Sequence, residues 1–106
     1  MRSFDASDPT ERAWASEVYE VALEHIQGFL LSALGGCAYV REICDRFELQ
    51  NPVLCDDTIL KASSLTQTEW RHRVDAALQS LKKQGIVAGG QGARARGLWC
   101  LVSGRI

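Results

Sequence analysis

The stretch Thr66 to Val87, TQTEWRHRVDAALQSLKKQGIV, constrains the fold of this chain more than any other. Trp70, Val74, Ala77, Leu78 and Leu81 recur at steps of three and four, the spacing that brings side chains to one side of an α-helix. His72, Ala76, Gln79 and Lys83 fall on the opposite side. Thr66 and Glu69 have the spacing of a capping box, in which the threonine accepts from the Glu69 N–H and the Glu69 carboxylate reaches back to the N–H of Thr66. At the far end Lys82 and Lys83 meet unpaired carbonyls, and Gly85 suits the left-handed backbone that closes a helix. These signals predict a helix over 67–84 with one side for a core and the other left free.

Upstream, Met1 to Ser7 shows no periodicity and is expected to fray. Asp8 as N-cap, Pro9 in the first turn and Glu11 three residues after the cap mark a helix start. Trp14, Val18, Val21, Ala22, Ile26, Phe29, Leu30 and Leu34 then form a wide apolar stripe, predicting one long helix over 9–34 despite Gly28. Gly35 and Gly36 end it, and Cys37 to Tyr39 is long enough for one short strand. Tyr39, Ile43 and Phe47, four apart, predict a second helix over 40–47. Between 49 and 65 no period is sustained, and a helical turn around Thr58 to Ala62 is the most that can be drawn from it. After the third helix, two apolar runs flank GGQGARARG and predict a hairpin over 86–102 with Arg94 and Arg96 at its tip. The whole is a single mainly α domain of α+β class. Three main helices, an extended N-terminal helix and a C-terminal β-hairpin wing predict a winged helix-turn-helix.

At 106 residues, 46% hydrophobic and 24% charged, the chain suits one domain with a modest core. No run of about 18 apolar residues is present, so no membrane association is expected. The start lacks the basic-then-apolar order of a secretory signal, which makes a cytoplasmic, nucleoid-associated location the expectation. The four cysteines, Cys37, Cys44, Cys55 and Cys100, show no C-x-x-C spacing. They are expected as reduced thiols, Cys44 and Cys100 packing as small hydrophobes, with no metal.

The formal net charge of -1 conceals an asymmetry. From Thr68 onward seven basic residues oppose only Glu69 and Asp75, a surplus of +5 that leaves -6 on the preceding part. Screening limits charge effects to about 10 Å at 0.1 M salt, so a local basic patch matters more than the total.

From Phe29 onward the sequence resembles the N-terminal winged-helix domain of Mrr-type restriction endonucleases. The resemblance lies in LGGCAYVREICDRF, in WRHRVDAALQSLKKQGIV and in the closing RGLWCLVSGR. It implies a DNA-targeting domain attached to a nuclease domain or subunit, with modified bases among its targets. This chain departs from the pattern at Val102 and Ser103, where a threonine is usual, and in its longer acidic N-terminal helix.

Double-stranded DNA is therefore the expected partner. The candidate contacts are Thr68, Arg71, His72, Arg73, Ala76, Gln79 and Lys83 on the third helix, with Arg94 and Arg96 on the wing. Arginine bridges guanine O6 and N7, glutamine the N6 and N7 of adenine, and a glycine-rich arginine tip suits phosphate or a minor groove. Trp70 and Trp99 read as core residues, and His25 as a buried or partner-facing one. Ser63, Ser64 and Ser103 have no catalytic setting, so neither an active site nor a cofactor is expected. The alternatives are a small transcriptional regulator, and a protein-interaction module dimerising through apolar surface at Trp14, Tyr19, Leu23 and Phe29 of the first helix.

Overall fold

Tertiary packing begins between the two longest helices. In a computed structural model, which describes residues 1–62, 64–89 and 97–102 (Leu34 by its backbone alone), the elements run β1 (Arg2–Ser3), α1 (Pro9–Ser32), β2 (Cys37–Tyr39), α2 (Val40–Gln50), β3 (Ile59–Leu60), α3 (Glu69–Lys83), β4 (Val87–Gly89) and β5 (Leu98–Leu101). Val18, Ala22, Ile26 and Leu30 of α1 share one core with Trp70, Val74, Ala77, Leu78 and Leu81 of α3. Each valine, leucine and isoleucine among them contributes about 1.5–3 kcal/mol on burial. The seam between α1 and α3 is thus the spine of an α+β fold. From α2, Ile43 and Phe47 close one side of it, the Phe47 ring stacking 5.9 Å from Trp70.

Helix ends follow local chemistry. The Asp8 carboxylate accepts from Thr10 N–H at 2.9 Å and caps α1, which continues unbroken through Gly28. It stops at Ser32, two residues short of the expected end, because Leu34 to Gly36 turns as a 3-10 segment with Gly35 and Gly36 at φ 71° and 70°. α2 extends to Gln50, beyond the expected 47. The end of α3 is a Schellman motif: Ile86 N–H bonds the Leu81 carbonyl at 3.0 Å, Gly85 N–H bonds Lys82 at 3.0 Å, and Gly85 has φ 76°. Its start differs from the expectation. Thr68 is the N-cap, and the Thr66–Glu69 box does not form: Thr66 N–H goes to the Ser64 hydroxyl, and the Glu69 carboxylate turns to Arg73.

The N-terminus does not fray. β1 pairs in parallel with β3, Arg2 N–H bonding Thr58 O at 2.9 Å and Phe4 N–H bonding Leu60 O at 2.7 Å. Arg2 also pairs with the buried Glu11 carboxylate at 2.7 Å, which accepts the Asp5 N–H as well. β3 occupies part of the connection where a helical turn around Thr58 to Ala62 was expected. Two indole N–H groups pin that connection to the helices: Trp14 donates to Leu54 O at 3.0 Å and Trp70 to Asp57 Oδ1 at 2.8 Å.

The second sheet has the order β2-β5-β4, antiparallel throughout. Ala38, Val87 and Trp99 face the core. Register sets Cys37 opposite Cys100, and the two form a disulfide. This corrects the expectation of four thiols, since strands that meet across 63 residues leave no trace in cysteine spacing. Cys44 and Cys55 are free and buried.

Candidate nucleic-acid interface

The outward side of α3 is the surface that the sequence singled out. Its axis turns about 100° per residue, so His72, Ala76, Gln79 and Lys83 form a ridge opposite the buried Trp70, Val74 and Leu81. His72 and Ala76 are half-buried, while Gln79 and Lys83 are exposed. Asp75, half-buried, lies on the α2 side of this ridge, and the sequence reading did not give it a role.

Beside the ridge a cleft of about 400 Å³ opens between the first turn of α2 and the first half of α3. Val40, Arg41, Cys44, Gln67, Arg71 and Asp75 line it. The Arg71 guanidinium lies over the Trp70 ring at 4.5 Å from its centroid, a cation–π contact, and also bonds the Cys44 thiol. Burial pushes the Cys44 thiol up to about 11 and the Cys55 thiol up to about 12, so both stay protonated at neutral pH. Arg41 is exposed at the start of α2, where backbone N–H groups point outward without helical partners. Arg41 had no role among the contacts expected from the sequence. Its neighbourhood with Arg71 depends on how the two helices pack.

Two expected contacts leave this surface. Thr68 is 9% exposed, bridged to Leu60 through the backbone, and its hydroxyl is buried without a partner, so it cannot reach a groove. Arg73 follows Arg71 by two residues and therefore points to the far flank of α3. There its Nε donates to Glu69, 2% exposed, and its guanidinium lies 5.2 Å from the Phe4 ring centroid. Arg71, His72, Ala76, Gln79 and Lys83 remain together. Arg94 and Arg96 lie outside the described residues, as do Ser63 and Ser103.

Other candidates are absorbed by the fold. Trp70 and Trp99 are core residues, 0% and 7% exposed. His25 Nε2 sits 3.1 Å from the Ile43 carbonyl, with its ring stacked on Phe29 and edge-on to Phe47, and burial lowers its pKa. The Ser64 hydroxyl accepts from Thr66 and Gln67 N–H and shapes the turn before α3. Trp14, Tyr19, Leu23 and Phe29, the apolar surface expected to serve dimerisation, pack against the core of their own chain. Among the described residues no helix is long and apolar enough to cross a membrane. Comparison of the chain with protein-family models, curated proteins and solved structures gave no match in any of the three.

Proposed function

We propose that this chain is a winged helix-turn-helix domain that binds double-stranded DNA, serving as the target-recognition module of a restriction or defence system. The observation that carries the reading is the outward ridge of α3, flanked by Arg41 and Arg71 on one side and by Lys82 and Lys83 at its end. None of these four cations has a carboxylate partner among the described residues. The order of elements supports the same reading. A strand between the first two helices pairs with the returning strand of a hairpin that follows the third, the arrangement a winged helix requires.

In this reading α3 enters the major groove and Gln79 and His72 meet base edges, while Arg41, Arg71 and Lys83 hold phosphates. Asp75 opposes phosphate and accepts from an amino group such as cytosine N4, so it favours some sequences over others. Arg94 and Arg96 join through the sequence alone, as a wing on the backbone or minor groove. A nuclease domain or subunit supplies cleavage, and this domain supplies none. The alternative of a small transcriptional regulator uses the same surface and differs in having no nuclease attached. The dimerisation alternative rests on side chains that are partly buried against their own core, so each offers a partner only part of its apolar surface.

The test is binding of plain, methylated and hydroxymethylated duplexes of one sequence at two salt concentrations. The reading expects binding that weakens as salt rises, and a difference among the three duplexes if modified bases are sensed. No salt-dependent binding to any duplex would overturn it.

A further inference from the structure

We propose that the Cys37–Cys100 bridge is a thiol–disulfide exchange site, opened by a small dithiol or a glutathione-type thiol, and that opening it loosens the joint between β5 and the start of α2.

Strand alternation gives the bridge its access. Ala38 and Trp99, paired in the register, are 3% and 7% exposed and face the core. Their neighbours Cys37 and Cys100 therefore project from the other side of the sheet, where both are half-buried and a small thiol reaches them without unfolding the core. The remaining cysteines do not compete. Cys44 and Cys55 lie buried in the helical core as protonated thiols, and exchange needs a thiolate, so the bridge is not reshuffled from within.

The bridge joins two short strands at the point where one of them leads into a helix. β2 is three residues long and runs straight into α2, with Tyr39 as the N-cap. Besides its ladder with β5, one backbone bond ties this point to the hairpin, Val40 N–H to Gly97 O at 2.7 Å. β5 is the central strand and also pairs with β4, which follows α3. Opening the bridge thus leaves the hairpin tied to α2 only through the short ladder and the Val40 bond, a looser joint, while the α1–α3 seam, on the other face, keeps its contacts.

The exchange balances without a cofactor. A reductant thiolate attacks one bridge sulfur, forms a mixed disulfide and releases the other cysteine as thiolate. The second reductant thiol then displaces the first cysteine, and the reductant leaves as its own disulfide. Two electrons pass to the bridge, and the two protons end on the Cys37 and Cys100 thiols.

The experiment uses the whole chain under native conditions, treated with dithiothreitol or with glutathione at graded thiol-to-disulfide ratios. Thiols are mapped by alkylation and mass spectrometry, and backbone opening by amide hydrogen exchange. The proposal expects alkylation at Cys37 and Cys100, at least tenfold faster exchange in the segments around them, unchanged protection in α1 and α3, and reversal by glutathione disulfide. Cys37→Ser in oxidising buffer should show the same local pattern; if that variant does not fold, the reduced native chain gives the measurement by itself. A bridge that is absent in oxidising buffer, that opens only in denaturant, or that opens without faster local exchange would overturn the proposal. Loss of protection throughout the chain on reduction would also overturn it, as the bridge would then be a general staple. None of these readouts depends on DNA.

Discussion

On one flank of α3, Arg73 donates to Glu69 and lies over Phe4, two residues along the chain from Arg2 of the Arg2–Glu11 pair; on the other, Arg71 and Arg41 face an open cleft with no carboxylate bonded to either. The two flanks hold the same residue type at nearly the same height on one helix, and differ in what α3 packs against. On the first flank each cation is matched to a buried carboxylate, so its field is largely cancelled inside the fold and its role is structural. On the second the field stays available to a partner. A count of charges along the chain overstates the basic surface, because it credits Arg73 equally with Arg71.

The sharpest way to break this comparison is Arg73→Ala. It leaves the Glu69 carboxylate, 2% exposed, without its counter-charge, and chemical denaturation should show a loss of about 3 kcal/mol. A variant as stable as the parent would mean that the paired flank is not structural. Next comes Gly89→Ala at the base of the hairpin, where an added Cβ would lie 2.9 Å from the Trp99 ring. Its expected cost is about 1–3 kcal/mol, read as a lower thermal midpoint. Arg2→Ala should lower stability less than Arg73→Ala does, because Arg2 is largely exposed and Glu11 keeps the Asp5 N–H. On the open flank, Arg41→Ala should change stability by no more than about 0.5 kcal/mol and Arg71→Ala by about 0.5–1 kcal/mol, through the lost contact with Trp70. Their effect belongs in the salt dependence of duplex binding, where each should reduce the slope by about one phosphate contact.

His25 belongs to neither flank and gives a baseline in pH. Burial holds its folded pKa below the ordinary 6.5, so the unfolded chain takes up the proton more readily. Stability from this group is intact above pH 6.5 and declines as the pH falls below it. The decline should be visible in denaturation curves at pH 7.5 and 5.5, and smaller in His25→Phe.

Much of the helical frame was legible. The periodic stripes of α1 and α3, the Asp8 cap and the Gly85 stop are local signals, and local hydrogen bonds carry them out. The start of α3 was misread because the Thr66–Glu69 spacing fits a capping box, whereas Thr68 holds the N-cap position without a side-chain capping bond. The Thr68 backbone is bridged to Leu60, and Glu69 finds a stronger partner in Arg73. β1 escaped notice because two residues are too few to alternate, and its stability comes from β3, more than fifty positions away. The disulfide and the cleft share that difficulty: each exists only once distant segments meet. Within the candidate surface, the ridge was readable from the helical period, whereas Arg41, Gln67 and Asp75 needed the packing of α2 against α3.

The stacking of Arg71 on Trp70 has a practical consequence. That indole is fully buried, hydrogen-bonded to Asp57 and covered by a guanidinium from the open flank, so its excited state senses whether the cation stays in place. With Trp14 and Trp99 changed to phenylalanine, the molecule would carry a single tryptophan, excited apart from its two tyrosines at the red edge of absorption. Drawing Arg71 outward would then alter the colour and yield of its fluorescence, an optical titration that requires no label.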